Sequence, residues 1–165
     1  MITRWGANIE KDNVLPEYPR PQMRRDSYIN LNGMWQYAIV RGDSLPDKID
    51  GEILVPFSPE CELSGVRRTV GPEDTLWYVK DFSLPADFNM GRVLLHFGAV
   101  DQMAAVYLND KEVGFHTGGY TPFSIDITEE LRKENRLIVK VRDLTDTSWH
   151  TRGKQKIRKG GIWYT

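Results

Sequence analysis

A single cysteine, Cys61, stands among the 165 residues, so no internal disulfide can form. The chain has to fold on its core alone, and it suits a reducing compartment. No apolar run approaches the roughly 18 residues of a helical membrane span. The N-terminus, Met1-Ile2-Thr3-Arg4-Trp5-Gly6, lacks the basic stretch and apolar run of a secretory signal. No Asn-x-Ser/Thr sequon occurs. Together these absences predict a cytoplasmic protein. Neither sign of charge dominates: 22 basic and 23 acidic residues leave a net charge of −1. Such a balance offers nucleic acid or an anionic membrane no electrostatic purchase. The histidines, His96, His116 and His150, are scattered without ligand spacing, so no metal is expected. A phosphate loop, a dinucleotide fingerprint and a Gly-x-Ser-x-Gly elbow are all missing. Hence no cofactor is expected.

What remains is a pattern of short strands. Residues 11–30 are rich in proline and charge (Pro16, Pro19, Pro21, Arg24, Arg25, Asp26) and predict an extended arm. After the turn signal Leu31-Asn32-Gly33, Trp35, Tyr37 and Ile39 alternate with Gln36 and Ala38, the period of a strand. Ile53-Leu54-Val55 predicts a short strand stopped by Pro56. Residues 56–75 form a long loop, a kind that tends to be functional in a compact domain. Leu76 to Leu84, Val93 to Phe97, Met103 to Leu108 and Arg136 to Arg142 predict further strands, with Val93 to Phe97 central because it is wholly apolar but for its histidine.

The pair Asn109-Asp110 tolerates positive φ and predicts a two-residue hairpin. Gly118-Gly119 allows a sharp bend before the strand Phe123 to Ile127, and Thr128 is placed to cap a helical turn over Glu129 to Lys133. From Asp143 onward no apolar period remains. Seven or eight strands with at most one helical turn predict an all-β fold, a jelly-roll-like sandwich of two antiparallel sheets. The expected division is an arm over residues 1–30 and one sandwich domain over 31–165. Trp35 and Trp77 lie in strand patterns and are expected in the core. Tyr120, Pro122 and Phe123 are expected to pack the sandwich, and His116 to act as a structural hydrogen-bonding group. Glu129 and Glu130 suit the first turn of a short helix.

Several ordered motifs go beyond fold class. The stretch Val100 to Thr128 contains Val100-Asp101, Leu108-Asn109, Val113-Gly114-Phe115-His116, Gly118-Gly119-Tyr120-Thr121-Pro122-Phe123 and Asp126-Ile127-Thr128. It resembles the signature of the N-terminal sugar-binding domain of glycoside hydrolase family 2, the β-galactosidase and β-glucuronidase family. Asp110 and Ala99 stand where that family often has glycine. Leu31-Asn32-Gly33-Met34-Trp35, Val55-Pro56-Phe57-Ser58-Pro59-Glu60, Leu76-Trp77-Tyr78, and Asn135-Arg136-Leu137 with Val139-Lys140-Val141 agree with it in order. So do Arg152-Gly153-Lys154-Gln155 and Gly161-Ile162-Trp163-Tyr164-Thr165, which are similar to a loop of its bacterial β-galactosidase-like branch.

The resemblance implies a galactose-binding-like jelly roll that packs, in a larger chain, on immunoglobulin-like domains and a catalytic (β/α)₈ barrel. In a retaining glycosidase the two cleaving carboxyl groups sit about 5 to 5.5 Å apart. By the resemblance they belong to the barrel, so the 165-residue chain is expected to be inactive alone. The parent is expected to be β-galactosidase-like, acting on a β-galactoside or related glycoside. A β-glucuronidase or β-mannosidase parent, or a free-standing carbohydrate-binding module, are the alternatives. Two loops are candidates for the pocket rim. The first offers Ser58 and Glu60. The second offers Lys154, Gln155, Trp163 and Tyr164, the last two as flat faces either for sugar stacking or for interdomain packing. Arg152, Lys154, Lys156, Arg158 and Lys159 give that loop five positive charges with no acid between them.

Overall fold

A computed structural model describes residues 2–88, 91–144 and 160–164. Ten strands are described: β1 (Gly33–Arg41), β2 (Gly51–Val55), β3 (Asp74–Phe82), β4 (Leu94–Phe97), β5 (Ala99–Asp101), β6 (Met103–Leu108), β7 (Lys111–Thr117), β8 (Phe123–Asp126), β9 (Asn135–Arg142) and β10 (Gly161–Tyr164). Helical structure among the described residues is confined to short 3₁₀ turns. One layer is a six-stranded sheet in the order β2-β1-β3-β9-β6-β7, and every pairing in it is antiparallel. The other layer is split into two antiparallel pairs, β10-β5 and β4-β8. The fold is the expected all-β sandwich, with the second sheet divided.

Period-two alternation explains the core. On β9, Leu137, Val139 and Val141 are buried between more exposed neighbours; on β6, Ala104, Val106 and Leu108 do the same. They meet Val93, Leu95, Phe97, Val100, Ile125, Ile127 and Ile162 from the opposite layer in one cluster with Trp35, Leu76 and Tyr78. Burying such side chains contributes roughly 1.5–3 kcal/mol each. The Asn109-Asp110 hairpin forms as expected, with φ of 52° and 73°, both in the region a primed turn requires. Asn109 also ties the turn to β9: its Nδ2 donates to Glu130 O at 2.7 Å, and its Oδ1 accepts from Arg136 N at 3.0 Å.

Four expectations need correction. Val93 to Phe97 is not central: among the described strands β4 pairs with β8 alone, and its apolar look comes from Val93, Leu95 and Phe97 facing the core while His96 is exposed. Trp77 is buried as expected, at 5% exposure, though on the face of β3 away from the main cluster. Leu76 and Tyr78 point into the core, so their neighbour Trp77 must take the other face of β3. Thr128 caps nothing; its Oγ1 accepts from Val93 N at 3.0 Å, and the 3₁₀ turn Thr128–Glu130 begins after Ile127 without a side-chain cap. Tyr120 and Pro122 are exposed and do not pack the sandwich, although Phe123 does, stacked on Phe97 at 4.8 Å. A strand also follows Asp143, namely β10. His116 keeps its structural role, with Nε2 within 3.2 Å of both Gly118 O and Thr121 Oγ1.

Candidate functional site

Four of the rim candidates, Ser58, Glu60, Trp163 and Tyr164, gather at one end of the sandwich around β10. That strand pairs with β5, placing Gly161 opposite Asp101 and Ile162 opposite Val100. Its anchor is Tyr78, a fully buried side chain whose hydroxyl accepts from Ile162 N at 3.1 Å. Burial, with Glu60 nearby, holds the Tyr78 hydroxyl well above its ordinary pKa, so it stays a neutral hydrogen-bonding group. Glycine is needed at 161. Its φ is +86°, and a Cβ there would lie 2.2 Å from Tyr78 Oη.

Three acids converge on this end: Glu60 from the loop after β2, Asp101 from β5, and Asp143 just past β9. Ser58 is buried, and Glu60 is half-buried with Oε1 accepting from Val70 N at 3.3 Å. Burial pushes the Glu60 carboxyl up, while N–H groups of its own backbone, Val70 and Gly160 and the Ser58 hydroxyl pull it back. Asp101 is shifted furthest. Burial first, then repulsion from Asp143 and Glu60, push its carboxyl up to about 7. Its side chain presses on backbone, because a Cβ on Gly119 would fall 2.2 Å from Asp101 Oδ1.

A stability profile follows. Folded Asp101 keeps its proton to about pH 7, whereas an unfolded aspartate releases it near 4. Between those values the native state binds more protons, so this site's contribution falls as pH rises from about 4 to about 7 and is level above. Asp101→Asn removes the loss. The variant is expected to gain about 1–2 kcal/mol relative to wild type between pH 5 and pH 8, a figure discounted for partial solvation. Urea midpoints at four pH values check it, and parallel profiles for the two proteins would refute it.

Beyond this acidic base, β10 ends in an exposed aromatic group. Trp163 is 38% exposed, Tyr164 59% and Tyr120 64%. Tyr120 and Trp163 meet edge to face at 5.7 Å, and Trp163 and Tyr164 at 6.0 Å. The Trp163 Nε1–H donates to Gly119 O at 2.7 Å. The structure therefore brings Ser58, Glu60, Trp163 and Tyr164 to one end, with Ser58 buried inside it. Lys154 and Gln155, with the rest of the basic run, lie outside the described residues. Sequence reasoning missed Tyr78, Asp101, Tyr120 and Asp143. Asp101 and Tyr120 stand inside quoted motifs, but nothing in a linear motif says that they meet β10.

A shallow depression of about 450 Å³ lies elsewhere, lined among others by Arg92, Lys111, Asp126 and Glu130. Two ion pairs line it, Arg92 with Asp126 at 2.9 Å and Lys111 with Glu130, so both of its cations are already engaged. Among the described residues no group of three or more His, Cys, Asp or Glu could hold a metal ion.

Known proteins resemble this chain as follows. Residues 62–164 match the model of "Glycosyl hydrolases family 2, sugar binding domain". A β-galactosidase of Thermoanaerobacter pseudethanolicus is 44% identical over 59 residues, 36% of this chain and 8% of that protein. A β-glucuronidase of Paenibacillus borealis is 26% identical over 146 residues, 81% of this chain and 24% of that one. Among solved structures, Bifidobacterium dentium β-glucuronidase complexed with coumarin-3-O-glucuronide superposes with a TM-score of 0.60 at 30% identity, covering 73% of this chain and 21% of that one. The chain thus spans a quarter or less of the length of these relatives. The matched region takes in β3 to β10, with Asp101, Asp143 and the aromatics of the β10 end, and so the chain belongs to glycosyl hydrolases family 2 as that family's sugar binding domain.

Proposed function

We propose that this domain serves a β-galactosidase-like hydrolase as a non-catalytic part, shaping the rim of a sugar pocket whose cleaving carboxyl groups lie outside these 165 residues. Residues 1–30 form its arm and residues 31–165 its sandwich. The observation that carries this reading is how the acids are used. Asp101 packs against the Gly119 backbone, Glu60 accepts from its own loop and Asp143 is buried, so the three brace β10 instead of facing an open cleft. A glycosidase pair needs space for the scissile bond between its carboxyl groups. The aromatic faces of Trp163 and Tyr164 point the other way, outward, where a sugar or a neighbouring domain can reach them. Lys154 and Gln155 belong to the same proposed rim.

A β-glucuronidase parent is the second reading. It is supported by β-glucuronidases among the relatives and solved structures, one of them matched over 81% of this chain, and by the basic run Arg152 to Lys159, which suits a uronate carboxylate. Assays with p-nitrophenyl β-D-galactoside, β-D-glucuronide and β-D-mannoside test both. The 165-residue chain is expected to release no nitrophenol above buffer; turnover by it would overturn the non-catalytic assignment. The parent polypeptide is expected to prefer the galactoside, and a preference for the glucuronide would establish the second reading in its place.

A further inference from the structure

Tyr120 was expected inside the sandwich and is outside it. It is the most exposed of the three aromatics at the β10 end, and it comes from the β7–β8 bend, not from β10. Its ring stands at 71° to the indole of Trp163, so the two planes make an open corner, and Tyr164 continues it at 62°. The corner is held from below. Trp163 Nε1 is committed to Gly119 O, which fixes the indole and leaves it only its π-face and edges to offer. Gly119 in turn sits against Asp101, at an approach too close for any side chain. Exposed aromatic rings held in place carry a low ordering penalty on binding.

We infer that Tyr120, Trp163 and Tyr164 form a stacking corner for a pyranoside with an apolar C–H face, with Tyr120 as its outer wall. A β-galactopyranoside fits that description. Its axial 4-hydroxyl leaves the hydrogens of C3, C4 and C5 together on one face, which can lie on one ring while an adjacent ring closes the edge. The inference rests on the sugar-facing reading of this end of the domain, but it needs neither the barrel nor any turnover.

The test uses the 165-residue chain, ¹⁵N-labelled, titrated with methyl β-D-galactopyranoside. The Trp163 indole N–H resonance, identified by its loss in Trp163→Phe, is expected to shift and saturate with a dissociation constant of roughly 1 to 20 mM. Saturation transfer should fall most strongly on H3, H4 and H5 of the sugar. Tyr120→Ala, at a site exposed enough to leave the fold alone, is expected to weaken binding roughly three- to ten-fold. Tyr120→Phe keeps the ring and is expected to bind as wild type does. An unmoved Trp163 resonance throughout the titration, or equal affinity in Tyr120→Ala, overturns the inference. That result would leave the hydrolase reading intact, and an inactive parent with a responsive Trp163 would do the reverse.

Discussion

Trp77→Ala is expected to cost about 3 kcal/mol, near the lower end of the range for replacing a buried tryptophan by alanine. The place of Trp77 in the sheet sets that figure. It lies on the face of the six-stranded sheet away from the core, between Ala38 on β1 and Lys140 on β9. Thr75 and Val79, two residues away on the same face, are buried beside it. Lys140 stretches across the indole with Nζ 5.5 Å from the ring centroid, and its ammonium meets Asp43 at 2.7 Å. A lysine stem can cover apolar surface in this way while its charge stays in water. Truncation opens this shallow cover, and water can fill the gap, unlike a dry cavity in the core. The indole Nε1 is buried with no hydrogen-bond partner among the described residues. Trp77→Phe removes that unsatisfied donor along with some area, so it is expected to stay within about 1 kcal/mol of wild type. Urea titrations of both variants decide the matter. A midpoint for Trp77→Ala equal to wild type would mean that the indole does not hold down this face.

The same residue shows how much of the fold the sequence makes legible. Alternation located β1 and β9 to within two residues, because each has one face in the core and period two records that directly, and apolar or aromatic content located β3 and β6 as closely. Alternation fails where both faces are covered. Thr75 through Val79 are all buried, so the sequence there gives no sign of which aromatic faces the core. It fails again for β4, whose apolar run reads as central although the strand has a single partner among the described strands. In β10 only Gly161 and Ile162 are buried, too few to show a period, and the strand is defined by partners far away in sequence. For the candidate site, the motifs named Ser58, Glu60, Trp163 and Tyr164. They could not give the acidic brace, because Glu60, Asp101 and Asp143 come from three separate segments. Nor could they give Tyr120, whose exposure depends on the bend at Gly118, where φ is +126°.

Gly161→Ala puts the brace itself to the test and is expected to release β10. Two penalties act together. The backbone sits at φ +86°, a conformation that costs an ordinary L-residue roughly 1–2 kcal/mol. The added methyl would lie 2.2 Å from Tyr78 Oη, 3.1 Å from Leu76 Cδ2 and 3.3 Å from Pro59 Cδ. Tyr78 cannot retreat: it is fully buried and stands edge to face with Trp35 at 6.3 Å. The strand has to move instead. It then gives up the Ile162 N–H bond to Tyr78, about 1 kcal/mol, and the burial of Ile162, roughly 1.5–3 kcal/mol. Those terms bound the loss at about 2.5–4 kcal/mol, confined to the β10 end, since β3 and β9 keep their own pairing. Trp163 is the reporter. Released from Gly119, its indole is expected to become fully solvated, with red-shifted emission and faster amide exchange over residues 161–164. Gly160→Ala is the comparison: the nearest atoms its methyl would meet are Asp101 O at 3.2 Å and Asp143 Cβ at 3.5 Å, so it is expected to leave Trp163 in place. If Gly161→Ala kept wild-type emission and exchange, Tyr78 would not be what holds the aromatic end in position.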